Sequence, residues 1–299
     1  MNDSTTKSVC CFGEVLWDIF PEHEKIGGAP LNVALRIHSF GIPINFISKI
    51  GQDTRGEGII KYIKESGVDP KNIQIDTQLP TGVVQVALDH RGSATYEIVH
   101  PVAWDAIELN QTVIDAVNKA DVFVFGSLVG RDQRSKSTLS SLLTAAKIKV
   151  FDVNLRPPFY SLELLEELML QSDFIKCNDE ELDEICAHLQ IQSKDRKEQI
   201  RALALRTKSD KICVTLGAEG ALLFADGAFY HHSGYSVIVE DTVGAGDSFL
   251  GTLISKLLIE EQAPSDALAY ACAMGALVAS KEGANPKISS SEIEALQQR

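Results

Sequence analysis

Short runs of β-branched and aromatic residues alternate along the chain with segments of helical period. The runs "VCCFGEVL" from Val9, "INFISKIG" from Ile44, "DVFVFGSL" from Asp121, "KIKVFDVN" from Lys147, "SDFIKCN" from Ser172 and "DKICVTLG" from Asp210 read as strands, each followed by a helix. That alternation predicts a mostly parallel sheet wrapped by helices. One region breaks it: from Thr81 to Val99, "TGVVQVALDHRGSATYEIV" reads as two alternating strands around a polar turn at His90 to Ser93, with no helix between them. It is expected to be a β-structured flap set into an α/β domain. The C-terminal third, from "GAGDSFLGTLISKLLIEE" onward, reads as helices with Gly and Ala at close contacts. No repeat, low-complexity tract or linker divides the chain, so residues 1–299 are read as one domain.

Composition narrows the class. A chain of 299 residues can bury a core without disulfides or metal staples. A net charge of -13 and an isoelectric point near 5.0 argue against nucleic acid or an anionic membrane as partner, since both would repel it. The six cysteines show no C-x-x-C spacing and sit mostly in apolar runs, as buried cytosolic thiols do. With no basic-then-apolar leader and no apolar run of membrane-spanning length, the expectation is a soluble, cytoplasmic protein. The seven histidines lack the paired spacing of a zinc site.

Candidate chemistry gathers at two glycine-rich stretches. There is no Gly-Lys pair for a P-loop, and "GAGDSF" lacks the third glycine of the dinucleotide fingerprint. In "VEDTVGAGDSFLG", however, a helix is read from Gly246 onward. The N–H groups around Ala245 to Asp247 would then form an anion-binding helix start, with Gly244 and Gly246 free of Cβ and the Asp247 carboxylate beside the anion. An Asp-capped helix behind a glycine turn accounts for the same residues. In "IGGAPLNVALRIHSFG", Gly27 and Gly28 precede a helix whose first turn carries Asn32. A small polar ligand could approach the bare backbone and be read by that amide, and a tight turn with an exposed Asn is the plainer alternative.

Taken jointly, "GGAPLNVALRIHSFG" with Gly51, and "DTVGAGDSFLG", resemble at matching spacing the two signatures of the ribokinase/PfkB carbohydrate kinase family. The resemblance extends from "GEVLWDIFP" to "GANPKI", with "FDVNLRPPFY", "IKCNDEEL" and "VTLGAEGALLF" in order between them. The "GEVLWD" opening and "DVNLR" look most like the fructokinase branch. The resemblance implies a ribokinase-like three-layer α/β/α domain with a small β lid, mainly residues 81–99 plus neighbouring N-terminal strand segments. It implies an ATP-dependent phosphotransferase acting on a sugar hydroxyl with Mg²⁺, and with K⁺ as a further candidate ion.

Residue by residue, the resemblance makes Asp247 the base and the Gly244, Ala245, Gly246 and Asp247 backbone the anion hole. Asp18, Gly28, Asn32 and Arg156 fall on the sugar side, Asp18 being placed just past the end of the first strand. Asn178, Thr215, Gly217, Gly220 and Asn285 fall on the nucleotide side. Glu181 would act on Mg²⁺ through water, and Asp241 would belong to a monovalent-cation loop. Lys287 and Thr252 depart from the family pattern, which weakens the cation assignment in particular. Arg156 could equally form a surface ion pair, and Asn178 with Glu181 could equally be a helix cap and an acidic first turn.

A loose phosphoryl-transfer transition state needs positioned donors more than a strong base, so a carboxylate at a helix start suffices. A flap closing over Asp18 and Asn32 would exclude water, and pairing two flaps would bury their edges in a homodimer. Val99 and His100 stand where kinases of 2-keto-3-deoxygluconate carry a basic residue, which favours a neutral sugar, fructose first. Other sugars or nucleosides are alternatives within the family. From another class, a sugar-binding sensor without catalysis is opposed by the intact Asp247.

Overall fold

A computed structural model describes residues 6–88 and 94–298 of the chain. The chain begins with β1 (Val9–Phe12), β2 (Leu16–Ile19), β3 (Glu24–Gly27), α1 (Ala29–His38), β4 (Ile44–Gly51), α2 (Thr54–Glu65), β5 (Ile73–Asp76), β6 (Gly82–Leu88) and β7 (Ala94–Ile98). It continues with α3 (Gln111–Lys119), β8 (Val122–Gly126), α4 (Gln133–Leu143), β9 (Ile148–Asp152), α5 (Leu162–Leu170), β10 (Phe174–Asn178), α6 (Asp179–His188) and α7 (Arg196–Thr207). Last come β11 (Lys211–Thr215), β12 (Ala221–Ala225), β13 (Ala228–His232), α8 (Ala245–Leu253), α9 (Pro264–Ala279) and α10 (Ser290–Gln297).

Nine strands form one sheet in the order β13-β12-β11-β10-β9-β8-β1-β4-β5, parallel from β11 to β5. Period-two alternation sends side chains to two separate cores. Val9, Cys11, Val122 and Val124 face α1, α2, α8 and α9, whereas Cys10, Phe12, Phe123 and Phe125 face α3 to α7. Phe123, Phe125 and Phe151 stack in sequence on the second face, with ring centroids 5.8 and 5.3 Å apart. The result is a three-layer α/β/α arrangement. Among the described residues, no helix is long and apolar enough to cross a membrane.

Two expected strand–helix successions are replaced by strands. After β1 the chain does not enter a helix: Gly13, at φ +152°, turns it against Pro30, whose Cγ would lie 2.6 Å from a Cβ at this position. The next eight residues of strand join a second sheet, ordered β3-β2-β6-β7. After β11, the positive-φ glycines Gly217 and Gly220 open a turn into the antiparallel β12 and β13 rather than a helix. Gly220 approaches the His232 carbonyl so closely that a Cβ would sit 2.0 Å from it, so its part is to let that hairpin close. Helix α8 starts at Ala245, one residue before the expected position.

The second sheet is the flap, and its strands β6 and β7 pair antiparallel as expected. The turn expected at His90 to Ser93 lies outside the described residues. The flap is tied to the body at both ends. Trp17 on β2 donates from Nε1 to the Arg55 carbonyl at 3.0 Å and lies over Gly58 of α2. Beyond β7, Arg131 makes a bidentate pair with Asp105 at 2.7 and 2.9 Å and donates to the Val99 carbonyl at 2.7 Å. Both side chains are buried, at 2% and 0% exposure, and the guanidinium lies 3.9 Å from the Trp104 ring centroid. Removing one partner strands the other charge in the interior. Arg131→Ala should therefore lower unfolding free energy by about 3–5 kcal/mol in urea titrations; a loss below about 1 kcal/mol would mean that this pair does not hold the flap's return.

Candidate active site

In a parallel sheet of this kind ligands gather outside the carboxyl ends of the strands, where the order reverses, here between β1 and β8. The strand register brings charged residues to that edge. Lys176 on β10 is the parallel partner of Asp152 on β9, and both project toward the α1 and α8 layer, where Lys176 Nζ meets Asp152 Oδ1 at 3.1 Å. Both are buried. Burial alone would lower the Lys176 pKa, but the charges of Asp152, Glu181 and Asp247 outweigh it and push it up.

Helix α8 enters from the opposite side. Gly244, at φ +75°, precedes it and packs on Ala284, whose Cα would lie 2.5 Å from any Cβ there. Of the expected anion-hole amides, Ala245 N–H is engaged by the Thr242 carbonyl at 3.2 Å. Those of Gly246 and Asp247 lie in the first turn, where no intrahelical acceptor exists. A Cβ on Gly246 would stand 3.6 Å from Lys176 Nζ, so a bare helix start and a buried ammonium face the same space. Such a place suits phosphate.

Asp247 sits at this start with Oδ2 accepting from Asn32 Nδ2 at 2.8 Å. Solvent reaches part of it through the cleft, but protein encloses it. That burial, with the charge of Asp152, pushes Asp247 up to about 6, against the Asn32 hydrogen bond and the charges of Lys176 and Arg156. Asn32 itself is buried, and its Oδ1 accepts from Asn285 Nδ2 at 2.8 Å. Asn285, expected on the nucleotide side, thus has its amide in the carboxylate's own hydrogen-bond chain. Arg36 supports α8 from α1, donating to Ser248 Oγ at 3.1 Å and to the Pro286 carbonyl at 3.2 Å.

Asp18 is not at the end of the first strand of the main sheet, where it was expected, but in the flap strand β2. Its carboxylate lies against β3 because Gly27 has no side chain; a Cβ there would come within 2.6 Å of Oδ2. Gly28, at φ +117°, passes equally close to the Glu14 carbonyl. Burial pushes Asp18 up to about 6, opposed by the charge of Arg156, which is exposed and also acts on Glu14 and Asp247. Asp18 and Asp247 thus share the charge of Arg156, and Asn32 is bonded to Asp247. The sequence reading missed Glu14, Asp152, Lys176 and Arg36. Glu14 is buried with Oε2 unpartnered, and burial pushes it up to about 7. A lone charge inside an apolar strand, as in "FIKCN" and "KVFDV", was the available signal for Lys176 and Asp152.

The remaining candidates are spread along the same edge. Thr215 is the register partner of Asn178, and Gly217 has an open face with nothing within 4 Å of a Cβ position. Asn178 caps α6, accepting from Glu181 N–H at 2.7 Å, while Glu181 accepts from the N–H groups of Asn178 and Leu155, both at 2.8 Å. The capping alternative is thus realised. Buried Asp152 Oδ2 has no partner, and among the described residues no group of three His, Cys, Asp or Glu could cage a metal. This set fits a divalent ion that keeps most of its water and arrives on phosphates, not one held by protein alone. Asp241 accepts from Val243 N–H at 3.0 Å and Gly283 N–H at 3.1 Å, joining the chain before α8 to the segment after α9. A wide surface hollow of about 730 Å³, lined by Ile50, Asp53, Glu57, Lys61 and Ile75 among others, contains none of these residues.

A carboxylate at a helix start, a buried ammonium beside the same anion site and a second carboxylate on a covering flap define a phosphotransferase with a hydroxyl acceptor. The family profile "pfkB family carbohydrate kinase" matches residues 6–291, and the chain belongs to that family. It is 27% identical over 316 residues to a probable fructokinase-5 of Arabidopsis thaliana, covering 95% of each chain. Its fold is ribokinase-like. It superposes on a fructokinase with bound ATP from Xylella fastidiosa with a TM-score of 0.85, 25% identity and 98% of each chain covered. A fructokinase double mutant from Vibrio cholerae O395, bound to fructose, ADP and potassium ion, shares the fold with a TM-score of 0.83, 24% identity and 98% of each chain covered.

Folded Asp247 holds its proton more tightly than the unfolded chain would, so its ionisation opposes folding in full above about pH 6, and the lost stability returns as pH falls from there to the ordinary value of 3.8. The sequence makes Asp247 the expected base; a base acts only when ionised, so on that expectation turnover falls as pH drops through about 6. Asp247→Asn should raise unfolding free energy at neutral pH by about 1–3 kcal/mol while cutting turnover by about 10²–10⁴-fold. Calorimetric melting and steady-state kinetics check both; retention of more than about a tenth of the wild-type rate would remove Asp247 from the base role.

Proposed function

We propose that the protein transfers the γ-phosphate of ATP to a primary hydroxyl of a neutral sugar, fructose, giving fructose 6-phosphate. The observation that carries this reading is the pairing of Asp247 with the open start of α8 and Lys176, with Asp18 under the charge of the same Arg156 that acts on Asp247. Asp18 accepts sugar hydroxyls, with the Gly28 backbone, Asn32 and Arg156 bordering the sugar. Asp247 takes the hydroxyl proton. The Gly246 and Asp247 amides, at the Gly244–Asp247 turn, meet the transferring group.

The nucleotide lies along the edge formed by Asn178, Thr215 and Gly217, where the β11–β12 turn is open. Mg²⁺, where bound, neutralises phosphate charge and would face Asp152 and, through water, Glu181. Asp241 is the residue through which K⁺ would act. The whole chain works as one domain with β2, β3, β6 and β7 as its lid. Lid edges favour a homodimer, since an exposed flap edge is otherwise unpaired. ATP supply and six free, buried cysteines are consistent with work in the cytoplasm.

Fructose is favoured by the names of the curated relatives and by the end of β7. There Arg131 is paired with Asp105, and His100 Nε2 faces Asp132 Oδ2 at 3.5 Å. Neither side chain is turned to receive a sugar acid. In a coupled ATPase screen, kcat/KM on fructose should exceed that on 2-keto-3-deoxygluconate by at least about tenfold, or about 1.4 kcal/mol. The opposite ranking rejects fructose and leaves the kinase standing, whereas no ATP consumption with any sugar rejects both. Asp18→Ala should weaken sugar use about ten- to a hundredfold, by the 1.5–3 kcal/mol of a lost charged hydrogen bond, with KM for ATP unchanged. A rise confined to the ATP constant would put Asp18 on the nucleotide side.

A further inference from the structure

The segment between α9 and α10 touches α1, the start of α8 and the chain before it. Gly283 N–H donates to Asp241, Ala284 packs under Gly244, Pro286 accepts from Arg36, and Asn285 reaches Asn32. The first three contacts involve backbone or a methyl group. The fourth is a side-chain amide whose partner holds the catalytic carboxylate.

An ionised carboxylate can only accept hydrogen bonds, so Asn32 must present its NH₂ to Asp247 and its oxygen away from it. That oxygen then faces Asn285, which must in turn present its own NH₂. One polarity runs along the chain Asn285, Asn32, Asp247, with both links at 2.8 Å. The arrangement leaves Asn285 Oδ1 buried with no partner. A buried acceptor without a donor is unfavourable, so the orientation of Asn285 is dictated by Asn32 and not by its own oxygen.

We infer that Asn285 is a positioning residue for phosphoryl transfer: it locks the Asn32 amide so that its NH₂ stays on Asp247 Oδ2 and the other carboxylate oxygen remains for the substrate hydroxyl. Without Asn285 the Asn32 amide can rotate, and in its reversed setting two oxygens oppose each other at the base. The inference rests on the kinase reading above. It differs from the nucleotide-side place that sequence assigns to Asn285, and the two roles separate kinetically.

The test compares wild type, Asn285→Ala, Asn285→Asp, Asn32→Ala and the Asn32→Ala/Asn285→Ala double variant. kcat is measured at saturating ATP and whichever sugar the wild type turns over fastest, and ATP affinity is measured by calorimetry without sugar. Asn285→Ala should lower kcat about tenfold, because a misdirected base loses alignment, with ATP affinity within about twofold of wild type. Asn285→Asp, nearly the same size, should be worse, since its acceptor-only group draws the Asn32 NH₂ away from Asp247. In the Asn32→Ala background, Asn285→Ala should change kcat by less than about twofold, because residues acting through one link do not add.

Weakened ATP binding with kcat preserved would overturn the inference and restore the nucleotide-side role. Full additivity in the double variant would also overturn it, as would Asn285→Asp outperforming Asn285→Ala. A wild type that consumes no ATP with any sugar would take the kinase reading down with it, and that outcome is distinct from the other three.

Discussion

The Lys176–Asp152 ion pair is the interaction on which the rest of the site depends. Glu14, Asp152, Glu181 and Asp247 converge on the carboxyl edge of the sheet, and Lys176 is the buried cation among them. Its charge opposes the burial that pushes Glu181 and Asp247 up. Its location follows from register: one residue of slip between β9 and β10 would send Lys176 into the aromatic core on the other face. The stacked Phe123, Phe125 and Phe151 pack β8 against β9 on that other face, which leaves Asp152 on the side of Lys176.

Much of the fold was legible because its signals are local. Alternating apolar runs mark strands buried on both faces, and the glycine pairs before α1 and α8 mark places where backbone must stay bare. What stayed hidden depends on partners far away in sequence. That β2 leaves the main sheet follows from Gly13 meeting Pro30 and from Trp17 meeting α2, and neither contact has a signature in the "GEVLWD" stretch. The same holds for the strands after β11, where turn glycines outweighed an apparent helix start. At the site, Asn32 and Asp247 were readable as polar residues in first helical turns behind glycines, and Asp18 through the family resemblance. Lys176 and Asp152 were not, because their meaning lies in pairing across two strands. Asn285 is the extreme case: its partner Asn32 is 253 residues away.

The capping arrangement of Asn178 and Glu181 shows how a structural and a functional reading can both hold for the same residues. The Glu181 carboxylate stays in place because it accepts from two backbone N–H groups at the start of α6, one of them on Leu155 beyond β9. Those bonds fix its position next to the Lys176 charge without consuming all its lone pairs. In the proposed role toward a hydrated ion such prior anchoring would help, since no ordering of the side chain would then be needed on binding.

The same economy explains why so many contacts fall on residues 280–286. That segment must adjust to the flap, to the turn before α8 and to α1 at once. Its exposed Glu282 pairs with Lys25 of flap strand β3 at 2.9 Å, a contact of little energetic weight in water. The inner contacts, to Gly244, Asp241, Arg36 and Asn32, are shielded and so much stiffer. Beyond its own ties to the body, the flap meets this segment through an exposed ion pair, whereas Asp247 is joined to it through the buried Asn32 amide. The two demands on the site, admission of a sugar and a fixed carboxylate, are thereby assigned to opposite sides of one short loop.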